Sequence, residues 1–74
     1  MGEYATRLNI NEYENFIKEI KTFLINNDLK IKDLANATGY SIFTVYGALS
    51  DYNRCGRFFV ASVIEWMENY EKSN

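Results

Sequence analysis

The sequence predicts an all-α fold, a compact bundle of four or five short helices. Three observations predict it. Apolar residues recur at helical spacing in four successive segments. Capping and turn residues, among them Asn11, Gly39 and Ser41, stand between those segments, and the chain has no proline. Twelve aromatic residues in a 74-residue chain supply the large buried areas that a single small domain needs.

Residues 1–10 show no period and are expected to form a loose arm, leaving one domain over residues 11–72. Asn11 is a good helix cap, and Glu14 three residues on completes a capping-box pattern. Tyr13, Phe16, Ile17, Ile20, Phe23 and Leu24 then form the inward stripe of a first helix reaching about Ile25. Asn26-Asn27-Asp28 reads as turn chemistry. A second, shorter helix is expected over 30–38, with Ile31, Leu34 and Ala35 inward and Asp33 in its first turn, where the helix dipole favours an anion. Gly39 suits the left-handed residue that ends many helices. Ser41 caps a third helix reaching about Ser50. Residues 51–56 read as a loop, and a fourth helix is expected from Arg57 to about Tyr70, with Glu71–Asn74 frayed. Its stripe (Phe59, Val63, Trp66 and Tyr70, with Val60, Ile64 and Met67 beside it) is wider than one core face needs. Either this helix is sandwiched in the core or part of it meets a partner chain, which leaves a homodimer through the C-terminal helix open.

Composition narrows the function classes. Histidine is absent, which removes the commonest general base and the commonest metal ligand. No metal-ligand cluster and no phosphate-cradling glycine loop is visible, so neither an enzyme nor a cofactor or metal is expected. Glu65, Glu68 and Glu71 share a helix and read as solvated surface charge. The single cysteine, Cys55, fits a reduced, cytoplasmic setting and reads as an inert small side chain near a loop. No apolar run approaches the length that spans a membrane, and the amino terminus lacks a secretory pattern.

The informative stretch is residues 31–50. It asks for two helices joined by a three-residue turn. Ala35 is small where the helices would cross, Gly39 takes the turn, Ser41 caps, and Tyr40, Val45, Ala48 and Leu49 would pack the second helix on the first. On Leu34-Ala35 and the run Gly39-Tyr40-Ser41-x-x-Thr44-Val45-Tyr46-x-x-Leu49, the chain resembles the helix-turn-helix of phage repressor, Cro and LacI-type regulators. The resemblance implies a λ-repressor/Cro-like fold whose second motif helix enters the DNA major groove. It places Ser41, Ile42, Phe43, Tyr46, Gly47 and Ser50 outward and Thr44 near a phosphate. In size and character the chain also looks like the small repression modulators, or antirepressors, in the lysis–lysogeny switch of temperate lactococcal-type bacteriophages, which implies a bacterial cytoplasm.

That outward surface departs from the usual pattern. Base edges are read by arginine, lysine, asparagine, glutamine or acidic side chains, and none lies between Ser41 and Ser50. If exposed, Ile42, Phe43 and Tyr46 make an apolar patch of the kind that anchors protein interfaces. Ile42 or Phe43 could instead fold into the core. Gly47 costs about 1 kcal/mol relative to alanine inside a helix, which suggests close approach of another group to the backbone. Charge argues the other way. Residues 30–57 carry a net +2 and the rest −4. Lys30, Lys32, Arg54 and Arg57 flank the motif where contacts to phosphate or to an acidic partner would fall, and the same four read equally as ordinary solvated charge. Two functions therefore stay open: a regulator that contacts a partner repressor, or direct operator DNA binding as a homodimer.

Overall fold

In the computed structural model, which describes residues 8–73, the chain is all-helical. The helices are α1 (Ile10–Asn26), α2 (Ile31–Thr38), α3 (Ile42–Ser50) and α4 (Arg57–Ser73). The segment read as a loop holds one 3-10 turn, Tyr52–Arg54, started by the Asp51 carboxylate, which accepts the Asn53 N–H at 3.0 Å.

Helix α1 starts earlier than expected. Its cap is Asn9, not Asn11: the Asn9 side chain accepts the Glu12 N–H at 2.8 Å, and the Glu12 carboxylate accepts the Asn9 N–H at 2.9 Å. Asn9 and Asn11 each have a glutamate three residues on, so the sequence offers two capping frames. A distant contact favours the first. Leu8 packs against the core, and its carbonyl accepts the Tyr52 hydroxyl at 2.6 Å. Residues 8–10 are thus part of the domain rather than of a loose arm. The expectation for residues 1–7 lies outside the described residues.

The end of α1 follows the turn chemistry read from Asn26-Asn27-Asp28. Asp28 adopts φ 56°, Leu29 N–H donates to the Leu24 carbonyl at 2.8 Å, and Asp28 N–H to that of Ile25 at 3.2 Å. This is a Schellman pairing with aspartate in the left-handed position where glycine is usual. Helix α2 opens with the Asp33 carboxylate accepting the Lys30 N–H at 2.8 Å. It closes on Gly39, at φ 84°, whose N–H donates to the Ala35 carbonyl at 3.0 Å. Gly39 is where a positive φ requires glycine.

The core joins all four helices. Tyr13, Phe16, Ile20, Phe23 and Leu24 of α1 meet Leu34 and Ala35 of α2, Val45 and Ala48 of α3, and Phe59, Val60 and Val63 of α4. Aromatic rings meet edge to face: Phe16 with Phe59 at 6.5 Å, Phe23 with Trp66 at 5.3 Å, and Tyr40 with Phe59 at 5.3 Å. Such pairs add to what burial alone contributes. The Tyr13 hydroxyl donates to the Ala48 carbonyl at 3.0 Å, tying α1 to the end of α3. Burial pushes the Tyr13 phenol above its ordinary range, and the nearby Cys55 and Asp51 push the same way. Cys55 itself is buried. The wide stripe of α4 divides: Phe59, Val60 and Val63 are buried, while Ile64, Trp66, Met67 and Tyr70 are half-buried. The helix runs through Glu71 and Lys72 to Ser73, past the expected end near Tyr70, and Asn74 lies outside the described residues. Among the described residues, no helix is long and apolar enough to cross a membrane.

Candidate functional site

The connection from α2 to α3 is three residues, Gly39-Tyr40-Ser41. Each has a visible task. Gly39 reverses the chain, and Tyr40 packs on Phe59. The Ser41 oxygen accepts the Thr44 N–H at 3.1 Å, while its hydroxyl donates to the Thr44 hydroxyl at 2.9 Å. Behind them, Val45 and Ala48 seal α3 onto the core, with Tyr40 and Leu49 packed beside them. One side of α3 is therefore fixed, and the opposite side must face outward.

That outward side is apolar. Phe43 is 81% exposed and Tyr46 is 54% exposed, on the helix with no charged residue of its own. Phe43, Tyr46, Gly47 and Ser50 follow the spacing that places them on one stripe. The exposed alternative thus holds for Phe43. Ile42 takes the other course: it is half-buried and packed against the core, so it is not an outward anchor. Ser41 and Thr44 are exposed with their hydroxyls paired to each other. The Ser50 hydroxyl donates to the Tyr46 carbonyl at 2.6 Å.

Gly47 requires a correction. It was expected as an outward contact, yet it is buried. The group covering it is Arg54. A Cβ built on Gly47 would lie 2.5 Å from the Arg54 Cζ, 2.6 Å from Nη2 and 2.9 Å from Nε. Something does approach the backbone closely there, and it belongs to this chain. Arg54 is therefore not merely a flanking cation. From the 3-10 turn its guanidinium reaches back across α3, onto the stripe that sequence reasoning found empty of charge.

The other three cations are exposed and separate in role. The Lys30 backbone opens α2, Lys32 follows on its first turn, and Arg57 opens α4. The Arg57 guanidinium lies over the Phe58 ring, 4.9 Å from its centre. Phe58, 70% exposed, is a surface aromatic that sequence reasoning missed. Its signal was position: residues 58, 62, 65 and 69 form the polar stripe of α4 (Ser62, Glu65, Asn69), and a phenylalanine stands at its head.

The arrangement offers groups suited to binding. It offers large rigid rings, a guanidinium with planar donors, and hydroxyls already paired within the chain. Among the described residues, no group of three or more His, Cys, Asp or Glu side chains could hold a metal ion. In comparison with known proteins, no protein-family model, no curated protein and no solved structure matches this chain.

Proposed function

We propose that this chain is a small helix-turn-helix regulator of a phage-type genetic switch, acting in the bacterial cytoplasm by contact with a partner repressor. The observation that carries the reading is the outward stripe of α3. It presents Phe43 and Tyr46 to solvent with the Arg54 guanidinium on the same side. Aromatic and arginine side chains are those enriched where protein interfaces draw most of their binding energy. The stripe carries no lysine, asparagine or glutamine to read bases. The overall charge of −2 also opposes a nucleic-acid backbone more than a basic protein.

Titration separates the roles. Labelled operator DNA is titrated with the purified chain alone, at low and moderate salt, and then with the cognate repressor present. Expected is no sequence-dependent shift by the chain alone and loss of the repressor–DNA complex when it is added. Tight, sequence-dependent binding by the chain alone would overturn the reading.

Arg54 favours a second reading. A guanidinium at the middle of a motif helix could contact guanine in a major groove, in a Cro-like homodimer with two such helices about 34 Å apart. That arrangement requires the salt-sensitive binding that the same titration measures.

A further inference from the structure

We infer that Gly47 serves to lay the Arg54 guanidinium across the middle of α3, and that the surface so made takes a carboxylate borne on an apolar protein surface. The inference rests on the reading of the α3 stripe as a protein-recognition face. It starts from a residue that the fold does not require. Glycine inside a helix is less stable than alanine, and Gly47 has no positive φ to demand it. Outside the helix's own backbone, the three heavy atoms nearest to a built Cβ all belong to the end of the Arg54 side chain. The missing side chain therefore leaves room for one exposed, flexible group.

Arg54 is held at its base, where its N–H donates to the Asp51 carbonyl at 2.9 Å. Among the described residues its guanidinium N–H groups have no acceptor within the chain, so the planar fork is open to a ligand. The chemistry of that ligand follows from the surroundings. A fork of this shape pairs two-pronged with a carboxylate. Phe43 and Tyr46 are exposed on the same stripe of α3 as Gly47 and supply its apolar surface. Helix α3 itself contributes no cation. A duplex phosphate backbone draws its affinity from several cations together, whereas one guanidinium among rings matches a single carboxylate on an apolar surface.

The test uses the full chain, isotope-labelled, with N-acetyltryptophan as the probe and N-acetyltryptophanamide as the matched neutral control. Expected are saturable NMR shifts at the Gly47 N–H and the Arg54 Nε–H with the acid, and binding at least ~10-fold weaker with the amide. In Gly47→Ala the new methyl displaces the guanidinium. Its melting temperature should rise by about 4 °C while acid binding falls ~10-fold. Arg54→Lys, which keeps the charge and loses the fork, should weaken the acid several-fold without a change in melting temperature. Equal binding of acid and amide overturns the inference. So does unchanged acid binding in Gly47→Ala, or a lowered melting temperature in that variant. A short DNA duplex that shifts these same signals more strongly than the acid also overturns it. The repressor titration is a separate readout. Loss of the acid–amide contrast with repressor displacement intact removes only this inference, whereas failure of that titration removes the reading on which it rests.

Discussion

Helices α1 and α3 both carry aromatic side chains, and the fold treats them in opposite ways. In α1, Tyr13, Phe16 and Phe23 are all buried and meet other rings edge to face. In α3, Phe43 and Tyr46 stand in solvent. Yet α1 is the helix with a charged outer face, and α3 has no charged residue. The difference teaches that apolar content alone does not mark the core. In α1 the apolar residues keep to the inward stripe. In α3 the inward positions are filled by Val45 and Ala48, so its rings are surplus to packing. The proposed function assigns these surplus exposed rings to a partner interface.

The sharpest way to break this comparison is to make one substitution on both helices. Phe16→Ala removes a buried ring and should cost about 3–5 kcal/mol, a large part of a small domain's stability. Phe43→Ala should change stability by less than about 0.5 kcal/mol. Chemical denaturation of the two variants measures both. Similar losses would mean that Phe43 packs after all.

Glycine offers a second pair. Gly39→Ala forces a side chain into the left-handed region at φ 84° and should destabilise by about 1 kcal/mol. Gly47→Ala lies within a helix and should stabilise, because the atoms nearest to the new methyl are those of the movable Arg54 side-chain end. Thermal melts read opposite signs if Gly39 serves the fold and Gly47 serves the surface.

Tyr13 links the two helices, and its titration tests the buried side of the comparison. Burial raises the Tyr13 phenol, so the folded state keeps its proton at pH values where the unfolded chain has lost it. Between the two pKa values the folded state binds more protons, and stability therefore falls as pH rises through about 10. Tyr13→Phe should cost about 1 kcal/mol at neutral pH through the lost bond to Ala48. It should also make the alkaline decline shallower, as followed by urea denaturation at pH 8 and above. A decline of unchanged slope would count against it.

The smallest expected effect is at the end of α1. Asp28→Gly relieves a left-handed aspartate at φ 56° and should stabilise by roughly 0.5 kcal/mol in thermal melts. A loss of stability would show that the aspartate side chain contributes more than its backbone strain removes.

Much of the fold was legible because local and global demands agree over residues 31–50. Gly39 is left-handed and Ser41 is a cap, as their chemistry requires. The start of α1 was not legible, because Asn9 and Asn11 carry equivalent local signals and the tie is broken by Tyr52 gripping Leu8 from 44 residues away. The site was legible in part. Phe43 and Tyr46 follow from helical spacing once Val45 and Ala48 are placed inward. The cover over Gly47 does not, since it depends on where a 3-10 turn aims the Arg54 side chain. Local sequence gave the glycine as unusual without revealing what lies against it.

The central claim is that the outward rings of α3 bind a protein partner and do not hold the fold. The most direct measurement is the double variant Phe43→Ala/Tyr46→Ala, taken through thermal melting and through the repressor–DNA displacement titration. The expected result is a melting temperature within about 2 °C of the parent chain together with loss of displacement. Displacement at the parent's level by a folded double variant would contradict the claim, and so would collapse of the fold.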